Sequence, residues 1–276
     1  MSPVNDPESD LTRKQRREQA REQRREVEQA SAAQASQRKR LIQLGGVAAV
    51  VVVIIVVILV ATGGGGSKTA PAPKSAAANT AQAEVIKLLQ GIPQSTNTLG
   101  NSSAPVKLVY YGDLECPFCK QFTLTALPSI IAKDVRTGKA KIEYRSMQTA
   151  TRERETFQTQ QVAALAAGKQ SRMWYYVELF YHEQGEEDSG YVTESYLQGL
   201  AAQVPGLNLS QWSEDRNQPG YANQVISDAQ NANQLGFTGT PSFVVEKAGA
   251  SPEKLENPSL TDPKDLEGAI EKQAKA

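Results

Sequence analysis

The stretch VKLVYYGDLECPFCKQF, residues 106–122, changes its period half-way along, and that change decides the fold. Residues 106–111 (VKLVYY) are rich in β-branched and aromatic side chains and end at Gly112-Asp113, the pattern of a short strand closed by a turn. After Cys116 the apolar residues fall at Phe118, Phe122, Ala126 and Leu127, the spacing of one side of a helix. Pro128 has no N–H to give, so the helix is expected to kink or restart before Ile130 and Ile131, and Gly138 to end it. Residues 141–145 (KIEYR) then alternate polar and apolar, a second strand.

Working outward, residues 155–235 carry only helical signals. Val162, Leu165 and Ala166 mark one helix, and Trp174, Val177, Phe180 and Tyr181 a second. A third runs through Tyr196, Leu197, Leu200 and Ala201 and stops near Pro205-Gly206. Leu209-Ser210 opens a short fourth; Tyr221, Val225, Ala229 and Ala232 mark a fifth, ended by Gly236. Residues 242–246 (SFVVE) read as a strand. Asp262 as N-cap and Pro263 in the first helical position open a last helix with Leu266 and Ile270 facing inward. The segment 247–260 is weakly patterned, with room for one more strand. The order is β, α, β, a long all-helical block, β, α, an α/β fold.

The N-terminal third has a different character. Lys plus Arg and Asp plus Glu each number 30, so the chain is neutral overall and composition argues against a nucleic-acid partner. Residues 1–40 hold ten basic and seven acidic side chains without an apolar stripe, a solvated charged tail. Residues 44–61 contain no charged or polar side chain, and Leu41-Ile42-Gln43 extends this run to about the ~20 residues of a spanning helix. A cleaved signal peptide would have a shorter leader and an apolar core of only ~7–15 residues. Arg38-Lys39-Arg40 abuts the run on one side and a glycine tract follows on the other. The positive-inside rule then puts 1–40 in the cytoplasm, a transmembrane helix at 41–62 and everything beyond outside. Residues 63–83, mostly Gly, Ser, Ala, Pro and Thr, read as a flexible linker, and 84–276 as one domain.

The chain has two cysteines, Cys116 and Cys119, in the motif Cys116-Pro117-Phe118-Cys119. They sit where a strand ends and a helix begins. A sulfur at a helix N-terminus faces unpaired N–H groups and the positive end of the dipole, so its pKa falls below the usual ~8.5. Three-residue spacing keeps both sulfurs within one turn: the first at the exposed tip, the second deeper. A purely structural disulfide here would close too short a loop to stabilise much. Zinc would need two further ligands, and His182 is the only histidine, so neither metal nor cofactor is expected. His182 lies in a helical stretch, and Trp174 and Trp212 read as core aromatics.

These residues resemble a known family. Residues 110–122 (YYGDLECPFCKQF) are similar to the active-site segment of DsbA-like thiol:disulfide oxidoreductases, close to the membrane-tethered Gram-positive forms. Residues 236–243 (GFTGTPSF) resemble the family's cis-proline loop and the strand after it. The resemblance covers roughly 95–276 and implies a thioredoxin-like fold with an inserted all-helical subdomain at about 155–235. It further implies a cis Pro241 beside the Cys116 sulfur, and backbone groups of Thr240 offered to an extended substrate peptide. Phe118, between the cysteines, would tune potential and touch substrate, with simple apolar packing the alternative, and Pro117 beside it would touch substrate. Many relatives carry a buried acid six residues before the first cysteine, where this chain has Tyr110. Asp113 and Glu115 are expected to be solvated and to oppose ionisation of Cys116.

The expected activity is introduction of disulfides into reduced exported proteins, with reoxidation by a quinone-linked membrane protein, both by family resemblance. A reductase or isomerase of the same fold, or a non-catalytic peptide-binding module, are the alternatives.

Overall fold

The computed structural model describes residues 76–276. The charged tail, the expected membrane span at 41–62 and linker residues 63–75 lie outside the described residues. Among the described residues no helix is long and apolar enough to cross a membrane.

A six-stranded sheet carries the fold, in the order β1-β2-β4-β3-β5-β6. Its centre is β3 (Val106–Gly112), which pairs in parallel with β4 (Ala140–Ser146) and antiparallel with β5 (Ser242–Lys247). The hairpin β1 (Gln94–Ser95) and β2 (Thr98–Leu99) extends the β4 side, and β6 (Glu253–Leu255) extends the β5 side. Successive side chains of β3 point to opposite faces. Val106, Leu108 and Tyr110 enter the main core, while Val109 and Tyr111 join a second cluster with Met147, Ala232, Phe237 and Val244. Coverage on both faces explains why residues 106–111 are nearly continuously apolar rather than alternating. At the end of β3 a Cβ on Gly112 would come within 2.8 Å of the Tyr144 ring, so only glycine fits there.

Helix α1 (Ala76–Leu89) precedes the sheet. Residues 76–83, read from composition as the end of the linker, are its first turns. The alanines that made the segment look like a linker are also the strongest helix formers, and Ala81, Val85 and Leu89 recur every four residues on its buried side. Helix α2 (Pro117–Thr125) follows β3, and the expected interruption falls at Ala126, where α3 (Leu127–Ile130) begins with Pro128 in its first turn. A π-helical turn (Ile131–Val135) completes the connection, and Gly138 sits in the left-handed region just before β4.

Five helices lie between β4 and β5: α4 (Arg154–Lys169), α5 (Met173–His182), α6 (Glu194–Gln203), α7 (Leu209–Asp215) and α8 (Pro219–Gln234). Trp174 and Trp212 are fully buried among them, their indole N–H groups donating to the carbonyls of Asn97 (3.1 Å) and Ala163 (2.8 Å). Thr193 caps α6 by accepting from the Tyr196 N–H, and Asn208 caps α7 by accepting from the Gln211 N–H. The chain closes with α9 (Lys264–Lys275), packed on β3 and β5 through Leu266, Ala269 and Ile270. Its N-cap is Pro263, one residue later than expected; Asp262 still accepts from the Lys264 N–H. The arrangement is a thioredoxin-like α/β fold with helices inserted between its second and third central strands.

Candidate active site

Where β3 ends, Asp113 turns the chain: its carbonyl accepts from the Cys116 N–H (3.0 Å) and its carboxylate from the Glu115 N–H (3.1 Å). The turn leaves Cys116 as the extended N-cap of α2, with Pro117 in the first helical turn. Pro117 suits that place because a helix's first N–H groups have no intrahelical partner in any case. Both cysteines are free thiols; Cys116 is 4% exposed and Cys119 is wholly buried.

The two sulfurs differ sharply in acidity. A hydrogen bond from the Cys119 thiol is the largest influence on Cys116. The Thr240 hydroxyl and the N–H groups of Cys119 and Phe118 add to it, and together they outweigh burial and lower the Cys116 pKa to about 6. Burial, followed by the hydrogen bond to Cys116 and its charge, pushes the Cys119 thiol far up. The free N–H groups of the helix tip thus stabilise one thiolate, and no charge is left on the deeper sulfur.

The second element at the site comes from 124 residues later. The Thr240–Pro241 bond is cis, and the Cys116 Sγ donates to the Thr240 carbonyl at 3.3 Å. Phe118, Pro241, Thr240, Phe237, Leu255 and Leu260 line a groove of about 380 Å3 beside Cys116. The spacing puts Phe118 on one side of the helix with Phe122, Ala126 and Leu127, and leaves substrate contact and apolar packing both open for it. Those three are wholly buried, but Phe118 is 60% exposed. It occupies the first turn of α2, a turn short of the core that Phe122 enters, so it faces the groove instead. Pro117 is exposed beside it.

A family model described as thioredoxin matches residues 94–271, well over half of the chain. The chain is 25% identical over 157 residues to the probable disulfide bond formation protein D of Bacillus cereus, covering 56% of this chain and 72% of that protein. The chain belongs to the DsbA-like thiol:disulfide oxidoreductases of the thioredoxin family. Two solved structures support the fold. Oxidised BdbD of Bacillus subtilis has a TM-score of 0.56 at 22% identity, covering 67% of this chain and 97% of its own. The α-DsbA1 of Wolbachia pipientis has a TM-score of 0.54 at 21% identity, covering 68% and 92%.

Around the dithiol this member of the family departs from its own sequence pattern in several ways. Asp113 and Glu115, expected to be solvated, are both buried. Burial, reinforced by the charges of Asp113 and Asp188, raises the pKa of Glu115, and neither acid is among the main influences on Cys116. Their polar atoms are drawn inward by donors from distant loops, which no local pattern reveals. Tyr110 is wholly buried; its hydroxyl donates to that of Tyr181 (3.2 Å) and lies 3.5 Å from that of Thr123. Burial first, then the charge of the Cys119 sulfur, raises its pKa, so Tyr110 stands in that neighbourhood as a neutral hydroxyl and not as a base. Tyr144 and Tyr181 share that neighbourhood and are held neutral in the same way. Gln184, after α5, donates to the carbonyls of Leu114 (2.7 Å) and Cys116 (3.2 Å) and ties the helical insertion to the active-site turn.

His182 stands apart from the dithiol, half-buried, its Nδ1 3.8 Å from Glu84 and its pKa lowered by burial. It lines a separate cavity of about 590 Å3, walled by Leu88, Leu124, Pro128 and Ile131, into whose floor Glu178 is set. The Glu178 carboxyl is wholly buried without a hydrogen-bond partner, and burial pushes its pKa up to about 8.

Proposed function

We propose that the chain is a membrane-anchored oxidase that introduces disulfides into exported proteins, working outside the cytoplasm through Cys116 and Cys119. The observation that carries this reading is the placement of the two sulfurs, Cys116 at the N-cap of α2 against the cis Thr240–Pro241 bond and Cys119 wholly buried behind it, which draws the Cys116 pKa down to about 6 and pushes that of Cys119 far upward. In the oxidised enzyme a substrate thiolate attacks Cys116 Sγ; a new S–S bond forms, the Cys116–Cys119 bond breaks, and Cys119 takes up a proton. A second substrate thiolate then attacks the substrate's own sulfur in the mixed disulfide and expels Cys116 as thiolate. Two electrons and a proton have passed to the dithiol. A low leaving-group pKa favours that expulsion, which is the oxidase direction. The cis-Pro241 loop and Phe118 supply the groove for an extended peptide, with the Thr240 backbone as its pairing edge.

The location rests on the apolar run at 41–62 and the basic residues before it. Each substrate disulfide leaves the dithiol reduced, so turnover needs an electron acceptor; the family resemblance points to a quinone-linked membrane protein. The decisive experiment is oxidative refolding of a reduced, unfolded disulfide protein. Wild-type chain is expected to accelerate it and Cys116→Ala to abolish the effect; equal rates would end the proposal. A reductase or isomerase is told apart by the reduction potential, roughly −120 mV for an oxidase against roughly −270 mV for a reductase.

A further inference from the structure

The Asp113 carboxylate is wholly buried and accepts five hydrogen bonds. Oδ1 accepts from the Glu115 N–H (3.1 Å) and the Thr151 hydroxyl (2.6 Å). Oδ2 accepts from three successive N–H groups, those of Thr149 (2.9 Å), Ala150 (2.9 Å) and Thr151 (3.0 Å). It makes no ion pair with any described residue. A buried carboxylate held by a row of backbone donors fixes those donors as firmly as they fix it. The turn after β4 is therefore clamped to the turn that carries Cys116. The clamp continues outward. The Thr149 hydroxyl is hydrogen-bonded to the Thr240 hydroxyl at 2.5 Å, the Thr240 carbonyl accepts from the Cys116 Sγ at 3.3 Å, and the Thr240 side chain is among the groups that lower the Cys116 pKa.

We propose that Asp113 and Thr149 are positioning residues for the Cys116 thiolate: the carboxylate sets the 149–151 turn, and the Thr149 hydroxyl aims that of Thr240 at the sulfur. This rests on the reading of Cys116 as the sulfur that ionises and leaves. The proton count gives the device a direction. When Cys116 is a thiol, it donates to the Thr240 carbonyl, and the Thr240 hydroxyl is free to donate to Thr149. When Cys116 is a thiolate, the Thr240 hydroxyl must donate to sulfur. Its oxygen can then only accept, and Thr149 becomes the donor that completes the chain. No bond between heavy atoms changes; two hydroxyl protons reorient as one proton leaves Cys116 for solvent.

The other ionisable groups around this point are Cys119 on α2, Asp113 and Glu115 on the preceding turn, Asp188 and Lys120 toward the helical insertion, and Lys254 and Glu256 on the groove wall. Thr149→Val removes none of these side chains and keeps the backbone N–H that Asp113 accepts from. The test is the pH dependence of Cys116 alkylation by iodoacetamide in the reduced full-length chain. Thr149→Val, which removes only the hydroxyl, is expected to raise the inflection by about half to one unit, a three- to tenfold loss of thiolate well below it. Thr149→Ser restores the hydroxyl and is expected to return the inflection to the wild-type value. Asp113→Asn puts an NH2 against N–H donors, and is expected to shift the inflection at least as far; adding Thr149→Val to it then adds little. An unshifted Thr149→Val, or a Thr149→Ser as shifted as Thr149→Val, overturns the proposal. A wild-type inflection near that of free cysteine would instead remove the functional reading on which it rests.

Discussion

Glu178 offers a quantitative test of how the interior of this protein is built. Its carboxyl is wholly buried and unpartnered at the base of the α1–α2–α5 cavity, with its pKa displaced from 4.5 to about 8 by burial. Below pH 4.5 the group is neutral whether the chain is folded or unfolded, and contributes no pH dependence. Between 4.5 and about 8 the unfolded chain gives up the proton while the folded chain keeps it, so stability falls as pH rises. The displacement of 3.5 units corresponds to about 5 kcal/mol, fully expressed above pH 8. Glu178→Gln keeps the shape and removes the ionisation. The variant is expected to match wild type near pH 4.5 and to become steadily more stable than it up to pH 8, by several kcal/mol. With a urea m-value of ~1–3 kcal/mol/M, the midpoints should separate by about 2 M at pH 8. Urea unfolding of both proteins at pH 4.5, 6 and 8 reads this directly. A stability difference that stays constant across those pH values would refute the reasoning.

Two further outcomes follow from the site. Because the folded Cys116 pKa is depressed from 9.0 to about 6, the thiolate's contribution is complete above pH 9 and lost as pH falls toward 6. The stability of the reduced over the oxidised protein should therefore climb by about 1.4 kcal/mol per pH unit between 6 and 9, measured by paired denaturation curves, and should be flat if the thiolate is not stabilised. Phe118→Ala removes an exposed ring, so stability should change by less than about 0.5 kcal/mol. The KM for an unfolded protein substrate should rise roughly five- to thirtyfold, while reaction with a small dithiol is untouched; equal effects on both substrates would deny it a place in the groove.

Much of this architecture was legible in the sequence because two periods meet at residues 106–122. The β-rich run, the helix after Cys116 and the long helical block all follow from side-chain spacing, and all are present. What escaped reading depends on contacts between distant segments. Asp113 looks like a turn residue at a surface; it is buried because three amides and a hydroxyl from residues 149–151 converge on it. Glu115 goes with it. For Phe118, spacing leaves packing and substrate contact both open, because it states which side of a helix a residue occupies, not how far the core extends along it. The two-residue strands β1 and β2 are too short for any period, and α1 hid in a composition typical of linkers. The tyrosine hydroxyls near Cys119 come from β3, β4 and α5, and only the folded chain brings them together.

The account turns on a single sulfur that ionises far below its neighbour. Thiolate absorbance at 240 nm, followed through a pH titration of the reduced full-length chain and of Cys116→Ala, measures it directly. One step near pH 6 in the wild type, absent from the variant, is the predicted result. A wild type whose first thiolate forms only near the ~8.5 of free cysteine would contradict the account.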